Sequence, residues 1–205
     1  MIKFNPALYI IFLGILAICC DQKEKKDPSN LMIIEGSIEG LRKGTLYLQK
    51  IRDTLLVNVD STLVNGVPNF KFRVPIETAE VFYLYLEKED GDSLNDRILF
   101  FGERGTIQIK TLLKTFESSA KITGSKNQEL LQEHQSFNRK FNNQNLDLMK
   151  EFYQAQIDGK SELRDSLQQR IDNLLKRRYL YTINFATQNA DENLAPYLAL
   201  TQVYD

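Results

Sequence analysis

The only two sulfur nucleophiles in this chain stand side by side. Cys19 and Cys20 close an apolar run near the N-terminus, and no other cysteine occurs in the 205 residues. Dithiol redox chemistry needs a spaced pair such as Cys-x-x-Cys, in which one thiolate attacks and the second resolves. Adjacent cysteines form only a strained disulfide. The pair suits a different chemistry, thioether attachment of lipid at a cysteine that ends a signal segment.

The remaining candidates are polar groups with bland alternatives. His134 is the only histidine, and it recurs at helical spacing with Leu130 and Phe137, as a half-buried structural histidine does. A metal site would need two or more nitrogen or sulfur ligands, and none are available to join it. The loop Glu87-Lys-Glu-Asp-Gly-Asp-Ser-Leu-Asn-Asp96 is rich in oxygen ligands. It lacks the Asp-x-Asp-x-Asp-Gly register and the distal glutamate of a calcium loop, so it reads as a solvated hairpin loop. Tyr47, Tyr83 and Tyr85 fall at alternate positions that share one sheet face. Such a face binds a sugar or peptide, or packs against a helix, and both options stay open. There is no Gly-x-Ser-x-Gly and no phosphate loop. No catalytic residue, cofactor or metal is expected, and the chain reads as a non-enzyme.

The N-terminus has the three parts of a secretory signal. Lys3 is the positive charge, and Ala7 to Ile18 is a twelve-residue apolar core, well short of the roughly 20 residues that span a bilayer. Composition then flips to Asp21-Gln-Lys-Glu-Lys-Lys-Asp-Pro-Ser-Asn30, charged and without an apolar residue, as expected of a solvated tether. A lipoprotein peptidase accepts a small residue before the modified cysteine. Cys20 is preceded by Cys19, whereas Cys19 is preceded by the bulky Ile18. Cys20 is the expected lipid attachment site and Cys19 the alternative; an ordinary cleaved signal or membrane anchor is the bland reading. The expected organisation is signal peptide over 1–19, tether over 20–30, β-sandwich domain over 31–113 and helical region over 114–205. The location implied is the bacterial cell envelope, with the bilayer as partner through the anchor.

Of 26 basic residues only Lys3 leaves with the signal, so the mature chain has a net charge of about −2. No basic stripe survives, and nucleic acid is not expected as a partner. An envelope protein, a peptide or a glycan remain open as partners.

The elements that must position any site change character once. From Leu31 to Leu113 the residues alternate as short strands do. The expected strands are Leu31–Ile38, Thr45–Ile51, Leu55–Asp60, Asn69–Val74, Glu80–Glu87, Arg97–Phe101 and Thr106–Thr111. Asn65-Gly66 predicts a hairpin lengthened by Pro68. Phe70, Phe72, Val74, Phe82, Leu84 and Leu86 form the expected core, and Tyr47, Tyr83 and Tyr85 the opposite face. About seven short antiparallel strands predict a small β-sandwich or open barrel.

From Ser125 the period becomes helical. Ser125 with Gln128 matches a capping box. Leu130, His134, Phe137, Phe141, Leu148 and Phe152 form a stripe, and Asp158-Gly159 ends the helix. Ser161 is expected to cap a second helix with Leu163, Leu167, Ile171, Leu174, Leu175 and Tyr181 on its stripe. A third helix starts at Leu194, with Pro196 in its first turn. The whole is an α+β fold, a sandwich followed by a helical hairpin and a short third helix. The third helix ends at Tyr204 with nothing after it to cover an apolar face. Leu194, Leu198 and Tyr204 are therefore expected to be partly exposed and to form the partner contact.

Several segments carry a family resemblance: Ile34-Glu-Gly-Ser-Ile-Glu-Gly-Leu41, Gly44-Thr-Leu-Tyr-Leu48, Asp60-Ser61 before Phe70-Lys-Phe72, Ile122-Thr-Gly-Ser125, and Leu194-Ala-Pro-Tyr-Leu-Ala-Leu200. Together they resemble the N-terminal domain of unknown function that precedes the thioredoxin-like domain in bacterial envelope thiol–disulfide oxidoreductases of the AhpC/TSA–TlpA type. In those relatives a Cys-x-x-Cys dithiol performs the redox step. Here the sequence stops at Asp205, where that domain would begin, and no residue corresponds to the dithiol. The resemblance implies a stand-alone lipoprotein version of the domain. The alternative is an accessory or truncated component of an envelope thiol–disulfide system, which a Cys-x-x-Cys reading frame directly after Asp205 would favour.

Overall fold

The computed structural model describes residues 30–88 and 96–203. Eight strands come first: β1 (Leu31–Glu39), β2 (Lys43–Arg52), β3 (Leu55–Asn65), β4 (Asn69–Pro75), β5 (Glu80–Glu87), β6 (Arg97–Gly102), β7 (Gly105–Leu112) and β8 (Lys121–Thr123). Three α-helices follow: α1 (Lys126–Ile157), α2 (Ser161–Gln188) and α3 (Leu194–Gln202). The strands form two four-stranded sheets, the first ordered β4-β1-β7-β8 and the second β3-β2-β5-β6. This is the α+β sandwich followed by helices that the patterning predicts.

Alternation decides which side chains face inward. Met32, Ile34, Phe70, Phe72, Ile107 and Ile109 come from the first sheet, and Leu46, Leu48, Phe82, Leu84, Leu86 and Phe100 from the second. All are buried in one cluster. Each such side chain stabilises the fold by roughly 1.5–3 kcal/mol relative to exposure.

Three features differ from the sequence expectation. Asn65-Gly66 does not close a hairpin within one sheet. It carries the chain from β3 in the second sheet to β4 in the first, with Gly66 N–H donating to Arg42 O at 2.8 Å and Ile38 N–H to Pro68 O at 3.0 Å. The reason is burial: crossing lets Val64 and Phe70 meet in the shared core. Second, β1 pairs with β7 in parallel, because both strands enter the first sheet from the same end. Gly36 permits the close approach, since a Cβ there would strike the Ile109 carbonyl. Third, β8 pairs antiparallel with β7, so pairing in the first sheet extends past residue 113. Its three residues are too few to show a period.

The helices are entered through a short polar junction. Ser125 Oγ accepts from Gln128 N–H at 3.1 Å, as a cap should. The Gln128 side chain does not complete the capping box. Its Oε1 accepts from Phe101 N–H at 2.8 Å and ties α1 to the end of β6. Gly159, with φ +68, ends α1. The cap of α2 is Lys160, not Ser161; its side chain does not bond to the helix it caps but donates to Asp158 at 2.9 Å. Its carbonyl already accepts from Arg164 N–H at 3.0 Å, one residue before Ser161 could act as cap.

The base of the hairpin and α3 lie against the second sheet through Phe101, Leu130, Leu131, Phe185, Leu194 and Leu198. The outer part of the hairpin has its own small core of Leu148, Ala155, Leu167 and Leu174. Phe137, Leu163 and Leu175 of the expected stripes are exposed. Among the described residues no helix is long and apolar enough to cross a membrane.

Candidate functional site

The third helix is not the open surface its position in the sequence implies. Leu194 is 0% and Leu198 1% exposed. The chain folds back so that α3 covers Phe101, with Tyr197 edge-on to that ring at 5.6 Å. Leu200 is the large apolar side chain that the helix exposes. Tyr204 lies outside the described residues, as do Cys19 and Cys20.

What pins α3 is a polar hub that the patterning missed. Buried Asn127 accepts from Leu194 N–H at 2.8 Å through Oδ1. Its Nδ2 donates to Glu103 at 2.7 Å and to Glu192 at 3.1 Å. Glu103 also accepts from Lys126 N–H, a carboxylate at a helix N-terminus, where the helix dipole favours it. A single amide thus joins the β6–β7 turn to the starts of α1 and α3. The residues are 65 or more apart in sequence where the hub reaches α3, so no local pattern signals it.

His134 is buried between α1 and α2. Its Nε2 lies 3.0 Å from Thr182 Oγ1, and Asn138 Nδ2 lies 3.4 Å from Nδ1. A donating Asn138 leaves the imidazole proton on Nε2, facing Thr182. Burial holds its pKa below the ordinary histidine value. Tyr181 stacks on the same imidazole at 5.8 Å. Burial, with a smaller contribution from Glu133, pushes its phenol up to about 12. The cluster is positioned to fasten two helices together.

Helices cover only part of the outer face of the second sheet. Val81, Leu99 and Phe101 lie beneath them. Tyr83 is half-buried towards that side, where burial first and Tyr83 second raise the pKa of Tyr197. Tyr47 and Tyr85, cross-strand partners in β2 and β5, are half-buried on this same outer face. Their rings stack at 5.9 Å with an interplanar angle of 27°. The Tyr47 hydroxyl donates to Glu87 Oε2 at 2.9 Å. That hydrogen bond is the main cause of a raised Tyr47 pKa. The Arg97 guanidinium sits 5.2 Å from the Tyr85 ring centre. Of the three predicted tyrosines, the fold brings two together and turns the third towards the helices. A stacked aromatic pair edged by one cation and one carboxylate can hold a planar peptide segment or the apolar side of a sugar ring.

Glu87 and Asp96 bound the acidic loop, whose residues 89–95 lie outside the described residues. Asp96 is paired with Lys88 at 2.6 Å.

Fold and surface together define a two-sheet sandwich with a helical hairpin docked on one face and an aromatic platform left open beside it. Residues 32–131, the sandwich and the first turns of α1, match a family described as a domain of unknown function, DUF4369. No curated protein matches the chain, and no solved structure does.

Proposed function

We propose that this protein is a lipid-anchored component of the bacterial cell envelope whose sandwich is a binding module without chemistry of its own. The observation that carries the reading is the twelve-residue apolar segment ending in Cys19-Cys20 and followed by the charged Asp21–Asn30. Cys20 is the attachment site in this reading, with Cys19 the alternative. The stacked Tyr47 and Tyr85, flanked by Arg97 and Glu87, supply a surface suited to a peptide, a glycan or a protein loop. The test is incorporation of labelled palmitate in cells. Cys20→Ala is expected to abolish the label. A label retained in Cys20→Ala but lost in Cys19→Ala moves the attachment by one residue. A label that survives both changes, or never forms, overturns the anchor.

The resemblance to the domain found in front of thioredoxin-like domains supports a second reading, an accessory part in an envelope thiol–disulfide system. In that case the soluble fragment 21–205, which holds no cysteine, should leave insulin disulfides intact alone and act only alongside a separate dithiol protein.

A further inference from the structure

One end of the sandwich gathers the chain entry, two strand starts and a protruding hairpin tip. Chain entry is at Asn30, whose carbonyl accepts from Ile76 N–H at 2.9 Å. The same end holds the starts of β1 and β7, paired as Met32 with Gly105, and the pair of Glu80 with Gly102. It also holds the tip of the β2–β3 hairpin, because Lys50 of β2 pairs with Phe82 and its Nζ reaches Glu80 at 2.7 Å. The β2–β5 ladder stops at that pair. Among the described residues, strands β2 and β3 continue paired only with each other, as Ile51 with Leu56 and Arg52 with Leu55.

This two-stranded tip is apolar where it should be polar. Ile51 is 53%, Leu55 68% and Leu56 40% exposed. Directly opposed residues share a face and neighbours alternate. Ile51 and Leu56 are thus on one face of the ribbon and Leu55 on the other. A ribbon waiting for a protein partner needs one apolar face. Apolar side chains on both faces suit a medium that surrounds the tip. Arg52 and Asp53 at the turn cancel in charge, and Arg52 has a stem long enough to reach headgroup phosphate. The carboxylates of Glu103 and Glu192 nearby are engaged by Asn127.

In the anchor reading, chain length limits how far the sandwich can stand from the bilayer. Ten residues, Asp21–Asn30, separate Cys20 from β1, and ten residues reach at most about 35 Å. We propose that the β2–β3 tip, residues 51–56, rests in the surface of the bilayer that holds the N-terminal lipid, and sets which end of the sandwich faces the membrane. The proposal rests on the anchor reading, and its test separates the two.

The test uses the full lipidated chain in phosphatidylcholine vesicles that carry a nitroxide at the top of the acyl chain. Leu55→Cys and Leu63→Cys variants bear an environment-sensitive fluorophore, with the unsubstituted lipoprotein as labelling blank. Both leucines are highly exposed on β3, so neither change removes a core contact. The expected result is flotation with the vesicles, a blue shift and quenching at position 55, and neither effect at position 63. Flotation without quenching at 55 overturns the hairpin contact and leaves the anchor standing. Equal quenching at both positions overturns the end-on orientation. Absence of flotation overturns the anchor and this contact together.

Discussion

The sandwich and the helical hairpin are built on different scales of burial. Among the described residues, the sandwich shares one cluster of twenty buried apolar side chains, drawn from both sheets and the segments that join their strands. Beyond its base, the hairpin holds four: Leu148, Ala155, Leu167 and Leu174. In the sandwich every inward position is supported from the opposite sheet, so losing one side chain is felt across the domain. In the outer hairpin the buried side chains come from two helices alone, with no third layer of described residues packed on them. Stability is therefore expected to be unequal along the chain, with the outer hairpin opening locally at lower free energy.

The largest effect should come from the sandwich. Phe72→Ala removes a ring that is fully buried and should cost about 3–5 kcal/mol, read as a lower denaturation midpoint by sheet and helix probes alike. Leu167→Ala in the small hairpin core is expected to cost about 2–5 kcal/mol at that site. Here the loss should be local: faster hydrogen exchange over the outer hairpin, with the strands still protected. Equal loss of protection in β1 and β7 would break the comparison and make the two regions one cooperative unit.

Ser125→Ala tests the joint between them. It deletes the cap on α1 and should cost about 1 kcal/mol, with the first turn of α1 exchanging faster.

A change of pH sharpens the comparison on the helical side. The folded pKa of His134 lies below its ordinary value of 6.5, because burial disfavours the charged ring. Below that ordinary value the unfolded chain takes up a proton that the folded chain refuses. Its contribution is present above pH 6.5 and is lost as pH falls towards the lower folded pKa. The slope cannot exceed about 1.4 kcal/mol per pH unit for one proton. Melting between pH 7.5 and 5 should show that loss in the parent and not in His134→Gln. A parent curve no steeper than that of the variant would remove His134 from the account.

The smallest effect is expected at the platform. Tyr47→Phe removes an exposed hydrogen bond to Glu87 and should shift stability by no more than about 0.5 kcal/mol. A larger loss in thermal denaturation would make the platform part of the structural core and weaken its reading as a binding surface.

Most element positions were legible because each rests on local chemistry. Strict alternation at Asn69–Val74 and Glu80–Glu87 places Phe70, Phe72, Phe82, Leu84 and Leu86 inside. Ser125 and Gly159 mark helix ends through hydrogen bonding and positive φ. The misplaced features are those that depend on partners. Asn65-Gly66 turns the chain as its residues require, yet into the other sheet. Nothing within reach of Ser161 shows that Lys160 already carries the turn. Leu194 and Leu198 looked exposed because the surface that covers them, Phe101 and Phe185, comes from β6 and α2.

Read alone, the sequence shows the order strands then helices, the inward faces of β4 and β5 and the apolar segment ending in Cys19-Cys20. These follow from side-chain period and composition, which act between residues a few positions apart. Long-range packing sets the partition of strands between sheets, the parallel β1–β7 pair and the burial of α3. It also sets the meeting of Tyr47 with Tyr85, and the gathering of the β2–β3 tip with Asn30 at one end. Each of these is a choice among distant partners, settled by which pairing buries the most apolar surface while leaving hubs such as Asn127 fully hydrogen-bonded.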